Sequence, residues 1–338
     1  MDESSTAGAP NGSQAAESET HPQDPAVQPT MVEVVQGMKT AIEKRCVESQ
    51  KGKEKDRIDP QTVLTEKYMP QCWLKPRADT GNLWLEEAMF MFAHSRGFDY
   101  DSAAKRMLKF AKVAKEVDMS ELDTMDADVA DCLGQGCWYI SPHPDVKGRP
   151  CCYVMCKHVN WKHLTVKQMQ RASLWILWRL AMTFAPVPQQ LGVSFFFCMH
   201  DFSMFQCKME FETWITKVMQ DMMPMKFSIL YSCYEPFWFA NMMYPWVKSA
   251  IKPKMRDRIH WLGNKEANIR HKILELSFDQ KDMSAVDGSI LASIPSELGG
   301  TMKFDPKLVD AEIRKRYGVT GVNLPAATTP EVKPQPQD

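Results

Sequence analysis

The sequence predicts an α/β protein: an all-helical N-terminal region, then a lobe with a mixed, mostly parallel sheet flanked by helices. Three observations carry this. Apolar residues recur at helical spacing through 32–133. After Gly136 they gather into short runs of β-formers, CWYIS, RPCCYVMC, VSFFFC and FSILYSC. Helical stretches separate most of these runs, and strands alternating with helices build sheets by parallel crossover.

The elements follow in order. Residues 1–30 are rich in Ser, Gly, Pro, Gln and acids with no Lys or Arg, and are expected to be a disordered tail. In the helical region of 32–133, Thr80 is placed to cap a helix near Leu83, whose Leu85, Ala88, Met89 and Phe92 form a stripe that Gly97 ends. Asp99 is placed to cap the next helix, with Ala103, Ala104, Met107, Leu108 and Ala111 on one face. The lobe is expected over 136–304. It opens with strands Cys137 to Ser141 and Arg149 to Cys156, joined by the turn sequence PHPDVKG. Thr165 starts a helix to about Phe184, broken by Pro186 and Pro188; a strand, Val193 to Cys198, and a helix, Lys208 to Met223, come next. Residues 305–338 read as an extension, disordered from about 321.

The stretch from Lys226 to Gly263 is the most informative. Phe227 to Cys233 reads as a strand buried on both faces, and Pro236 suits the first turn of a helix. That helix carries Phe237, Trp238, Phe239, Met242, Met243, Tyr244, Trp246 and Val247, more large apolar surface than one packing face needs. Pro245 should kink or split it. A short strand, Arg258 to Leu262, closes a βαβ-like unit. Burial between a sheet and another layer explains such a helix; so does lining a cavity for an apolar ligand or meeting a membrane.

Composition narrows the function classes. The chain has 338 residues, 44% hydrophobic and 10% aromatic, enough for a substantial core. A net charge of −1 gives no electrostatic case for nucleic acid. The 24 methionines and 10 tryptophans suit an interior that adapts to a guest. The N-terminus lacks the basic and apolar regions of a signal peptide, and the apolar run Leu174 to Phe184 is short and contains Arg179. A cytoplasmic protein with reduced cysteines is expected. No His/Cys set has zinc spacing, and no P-loop, GxSxG, HExxH or full GxGxxG occurs, so no metal, cofactor or catalytic set is assigned. His200 and Asp201, after the third main strand, are the one place for an enzyme reading, with no nucleophile beside them.

Five ordered motifs carry a resemblance. FAHSRGFDYDSA, from Phe92 to Ala103, resembles the hallmark of the helical region preceding CRAL-TRIO lipid-binding domains. VKGRPCCYV is similar to that family's Asp-Gly-Arg-Pro-Val hairpin, and Asp201 matches its aspartate after the third strand. Pro224 and Pro236 keep the spacing of its two proline motifs, and IPSELGG, Ile294 to Gly300, resembles Leu-Pro-x-Glu-Leu-Gly-Gly. The resemblance covers about Asn82 to Asp305.

It implies a lobe enclosing one lipid behind a mobile helical gate, here Pro236 to about Lys252, with transient membrane contact and no chemistry on the ligand. Pocket and gate candidates are Phe196, Cys198, Phe205, Phe211, Trp214, Tyr231, Phe237, Trp238, Phe239, Met242, Met243 and Trp246; headgroup candidates are Lys226 and Lys248. Where phosphoinositide-binding members have Glu-Arg, this chain has Met225 and Lys226, so headgroup specificity does not carry over. A stretch containing EANIRHKILELSFDQKDM is longer than usual and is expected to add a helix. Two other classes stay open: a lipid-regulated adaptor that transfers nothing, and an enzyme using His200 and Asp201.

Overall fold

The computed structural model describes residues 29–76, 83–119, 127–141, 144–277, 294–298 and 301. The chain divides into Met1–Thr30 and Met31–Asp338, and the elements described all belong to the second. Thr80, Gly299, Gly300 and the expectations for residues 1–28 and 302–338 lie outside the described residues.

Helices α1 (Met31–Ser49), α2 (Trp84–Ser95), α3 (Tyr100–Glu116) and α4 (Ala127–Gly134) form the N-terminal part. Sequence chemistry sets their ends. Gly97, at φ 62°, follows α2, and Asp99 accepts a hydrogen bond from the Ser102 amide at 3.0 Å, satisfying a donor that the first turn of α3 leaves without a partner. Trp73 stacks on Phe110 of α3 at 5.6 Å and meets Phe92 of α2 at 6.2 Å. It also packs on Trp178 at 5.3 Å, and Trp178 belongs to α5 (Val166–Thr183). The helical part and the lobe therefore share one aromatic core. Helix α5 starts as its sequence predicts, with Thr165 and Gln168 forming a capping box.

The lobe is built on five strands in sequential order: β1 (Trp138–Ile140), β2 (Cys151–Met155), β3 (Val193–Cys198), β4 (Phe227–Cys233) and β5 (Ile259–Trp261). β1 runs antiparallel to β2, and the other pairs are parallel. The mixed, mostly parallel sheet expected from the sequence is the one observed. Helices α6 (Val187–Gln190), α7 (Met209–Asp221), α8 (Tyr244–Ala250), α9 (Pro253–Arg256) and α10 (Glu266–Ser277) complete the order, α10 being the added helix expected from EANIRHKILELS.

The two faces of the sheet differ. One carries a ladder of rings in register across all five strands, Tyr139, Tyr153, Phe196, Tyr231 and His260, at 6.1, 5.2, 5.2 and 5.5 Å. Cross-strand ring pairs add about 0.5–1.5 kcal/mol each beyond their burial. Ile269 and Ile273 of α10, with Ile294 and Leu298, pack in the core on this side. Because strand side chains alternate, Cys152, Val154 and Phe195 belong to the opposite core with the remaining helices.

Buried charges lock the lobe together. Asp145 accepts from the Lys147 and Arg149 amides, from the Arg149 guanidinium at 2.6 Å and from Ser194 Oγ at 2.7 Å. Arg149 also donates to Ser228 Oγ at 2.6 Å, so the VKGRP turn is tied to β3 and β4. Arg106 of α3 donates to the carbonyls of Met223 at 2.8 Å and Gln220 at 2.9 Å, capping the C-terminal end of α7. Burial lowers its pKa to about 10, still cationic at neutral pH. Gly192 leads into β3 at φ 90°, where a Cβ would stand 2.8 Å from Ser228 Cβ and 3.0 Å from the Lys226 carbonyl oxygen.

Candidate functional site

The segment after β4 takes the form its sequence requires. The chain is helical from Phe237, but Phe239–Met243 is a π-helical turn, and α8 begins at Tyr244 with Pro245 in its first turn. A proline cannot donate to the preceding turn, and the wider π turn takes up the mismatch. The helix is thus continuous in path but irregular where a kink or split was expected.

Between this segment, α7, α9 and the sheet face away from the ladder lies a cavity of about 160 Å³. Its size is close to that of an engineered apolar cavity of roughly 150 Å³ that takes up benzene. The sheet contributes Trp138, Val154, Phe197, Leu230, Ile259 and Trp261; α7 contributes Phe211, Ile215 and Met219. Phe239, Tyr244, Val247 and Ile251 close it from the segment after Pro236, with Met255 from α9. Tyr244 meets Trp261 edge to face at 4.4 Å, joining the closing segment to the sheet edge.

The candidates named from the sequence fall into four places. Phe211 and Phe239 line the cavity. Phe196, Cys198 and Tyr231 lie on the ladder face, one residue out of step with the lining residues Phe197 and Leu230. A strand buried on both faces has no polar alternation to show which face meets the cavity. Trp214, Trp238 and Met243 are half-buried against the core: Trp214 stacks on Phe211 at 6.2 Å and Trp238 packs on Phe202 at 5.5 Å. Phe205, Phe237 and Met242 are 91%, 84% and 66% exposed. The Trp246 side chain lies outside the described residues.

The headgroup candidates are both exposed and line no part of the cavity. Lys226 donates from Nζ to the Gln190 carbonyl at 3.1 Å, at the start of β4. Lys248 lies on α8. His200 Nδ1 stands 2.9 Å from the Asp201 carboxylate with its ring edge-on to Tyr234 at 5.1 Å, also outside the cavity lining.

Sequence reasoning missed the polar part of the wall. Glu212, Thr216 and Gln220 follow at four-residue spacing along α7 and all line the cavity. Gln220 is bonded, accepting from the Lys252 amide at 2.9 Å and donating to the Thr216 carbonyl at 3.2 Å. Gln206, another lining residue, is held by the Ser203 amide at 2.8 Å and by the Lys157 and Val159 carbonyls. The Glu212 side chain has no hydrogen bond or ion pair among the described residues, and desolvation raises its pKa to about 7. Its position in the first turn of α7, where a helix favours negative charge, does not offset that burial.

Residues 134–282 match the family model of the CRAL/TRIO domain. The chain carries a CRAL/TRIO domain. The family binds and transfers lipids, and its domain here spans all five strands with their connecting helices up to α10. No curated protein sequence matches the chain. The solved structure of Sfh5 aligns over 85% of this chain and 96% of its own, at 10% identity and a TM-score of 0.47. At that level the likeness carries no statement about function.

Proposed function

We propose that this CRAL/TRIO protein holds a single lipid in the cavity behind residues 237–251 and exchanges it when that segment swings open at a membrane surface. The two-sided character of the segment supports this reading. Phe239, Tyr244 and Val247 face the cavity, while Phe237 and Met242 project outward. An apolar inner side stabilises a lipid chain, and apolar outer tips lose nothing by entering a bilayer. Each buried methylene contributes about 0.8 kcal/mol, so a lipid leaves a membrane only for a comparably apolar receptor.

The cavity's size supports an order of events. A cavity of about 160 Å³ accommodates part of a lipid chain. A complete lipid needs the segment to move outward, and the π turn before Pro245 is the natural place for that hinge. Lys226 and Lys248 are proposed as surface contacts for a headgroup or an anionic bilayer.

Incubation with mixed vesicles of phosphatidylcholine, phosphatidylinositol and a sterol, then mass spectrometry of the re-isolated protein, tests the reading. One bound lipid per chain is expected, with transfer between two vesicle populations. Binding without transfer points to a lipid-regulated adaptor, and neither binding nor transfer ends the proposal.

A further inference from the structure

The wall of the cavity has a feature that a container for hydrocarbon does not require. Among the described residues that line it, Glu212 is the one side chain with a carboxylate or ammonium-type charge; no Lys, Arg, His or Asp joins it. It sits among Phe211, Ile215 and Met219. Glu212 is half-buried where it lines the cavity, and its carboxyl has no hydrogen-bond partner among the described residues, while Gln206 and Gln220 nearby are both bonded. A partnerless acid in an apolar wall lowers stability, so folding gives no reason for it. The Thr216 hydroxyl lies one turn further along the same helix.

We propose, building on the lipid-binding reading above, that Glu212 is the polar anchor of the cavity and selects a lipid whose inward end donates a hydrogen bond, a hydroxyl or an ammonium, and carries no phosphate. The chemistry is direct. An ionised carboxylate accepts only, so it holds an ammonium as an ion pair or a hydroxyl as a donor. A protonated carboxyl both donates to and accepts from a hydroxyl. In neither state does it compensate a phosphate, and no cation in the described lining does so. Burial places its titration near neutrality, at about 7, so both forms are populated under ordinary conditions. The titrating groups that feel its charge are the Cys156 thiol just after β2 and the Cys207 thiol before α7; Cys137 and Tyr244 are the other titratable side chains of the described lining. Burial raises Cys156 well above the ordinary thiol value and Cys137 and Cys207 to about 12, so these thiols stay neutral. The Lys208 ammonium sits 4.5 Å over the Trp161 ring.

Four probes with one chain and different ends test this: decane, decanol, decylamine and decyl phosphate, followed by tryptophan fluorescence of the full chain. The wild type is expected to bind decanol and decylamine at least tenfold more tightly than decyl phosphate, with decylamine tightening between pH 6 and 8 as the carboxyl ionises. Glu212→Gln should keep decanol within about threefold and lose the decylamine preference by tenfold or more. Glu212→Leu should bind decane as well as the wild type, show no preference for decanol over decane, and melt at a higher temperature without any probe. Equal wild-type affinity for all four probes overturns the anchor but leaves the cavity reading intact. So does an unchanged preference order in Glu212→Gln. Failure of every probe, decane included, overturns both.

Discussion

Two charged side chains, Glu212 half-buried in the cavity wall and Arg106 buried against the end of α7, act in opposite senses at the scale of the residue. Glu212 has its pKa raised from the ordinary 4.5 to about 7, so the folded chain holds this proton more tightly than the unfolded one. Its favourable contribution is complete below pH 4.5 and is lost as the pH rises through about 7. The difference at pH 8 is on the order of 3 kcal/mol, and Glu212→Gln should remove it. The variant is expected to melt above the wild type at pH 8 and level with it at pH 4. Parallel melting curves across that range would show that Glu212 is solvated. Arg106 works the other way, since it satisfies the end of α7 and joins the helical region to the lobe. Arg106→Met should cost about 3 kcal/mol in urea unfolding, because charge-assisted bonds are lost and buried carbonyls are left without donors. Neither role is legible in the sequence. A glutamate at four-residue spacing from Thr216 and Gln220 reads as a solvated helix face, and an arginine on an amphipathic helix reads the same way.

The decisive element is the segment from Phe237 to Ile251. Its surplus of aromatic and methionine side chains was visible in the sequence, and so was the disturbance at Pro245; the form of the disturbance, a π turn over Phe239–Met243, was not. With Phe237 and Met242 exposed, replacing both with Asp should leave the far-ultraviolet circular dichroism and the melting temperature within error of wild type. The same variant should lose tenfold or more in vesicle-to-vesicle transfer, since charged tips are costly to insert into a bilayer. Unfolding of the variant would return the segment to an ordinary core helix. Amide exchange gives a test without mutation. Residues 237–251 are expected to exchange faster than β3 and to slow once lipid is bound, with β3 unchanged. The strands teach a related lesson. Val193–Cys198 and Phe227–Cys233 coincide with the expected limits, yet the candidates Phe196, Cys198 and Tyr231 lie on the ladder face, one residue out of step with the cavity lining. Hydrophobic runs locate a doubly buried strand without showing which of its sides meets a ligand.

Across the whole molecule the legible part was the architecture, because period, capping and punctuation are written locally and agree with one another from α2 to β5. The cavity was legible only through the surplus of one helix, since its walls come from five strands and from α5, α7, α8 and α9, brought together by the fold. That arrangement makes loading a global event, and stability should report it. A lipid that binds the folded chain alone stabilises it by about 2.7 kcal/mol at a hundredfold excess over its Kd. For a domain of this size that is a rise of roughly 5–10 °C in melting temperature. Selectivity should follow the lone acid of the wall and the departure at Met225 and Lys226, so a sterol or long-chain alcohol is expected to raise the midpoint more than phosphatidylinositol does. Lys226, exposed and bonded to the Gln190 carbonyl, should matter for phospholipids alone: Lys226→Ala should reduce any shift with phosphatidylinositol or phosphatidylcholine and leave the sterol shift unchanged. A larger shift with phosphatidylinositol than with sterol, abolished in Lys226→Ala, would place a phosphate site at the start of β4 and reverse the selectivity inferred from the cavity.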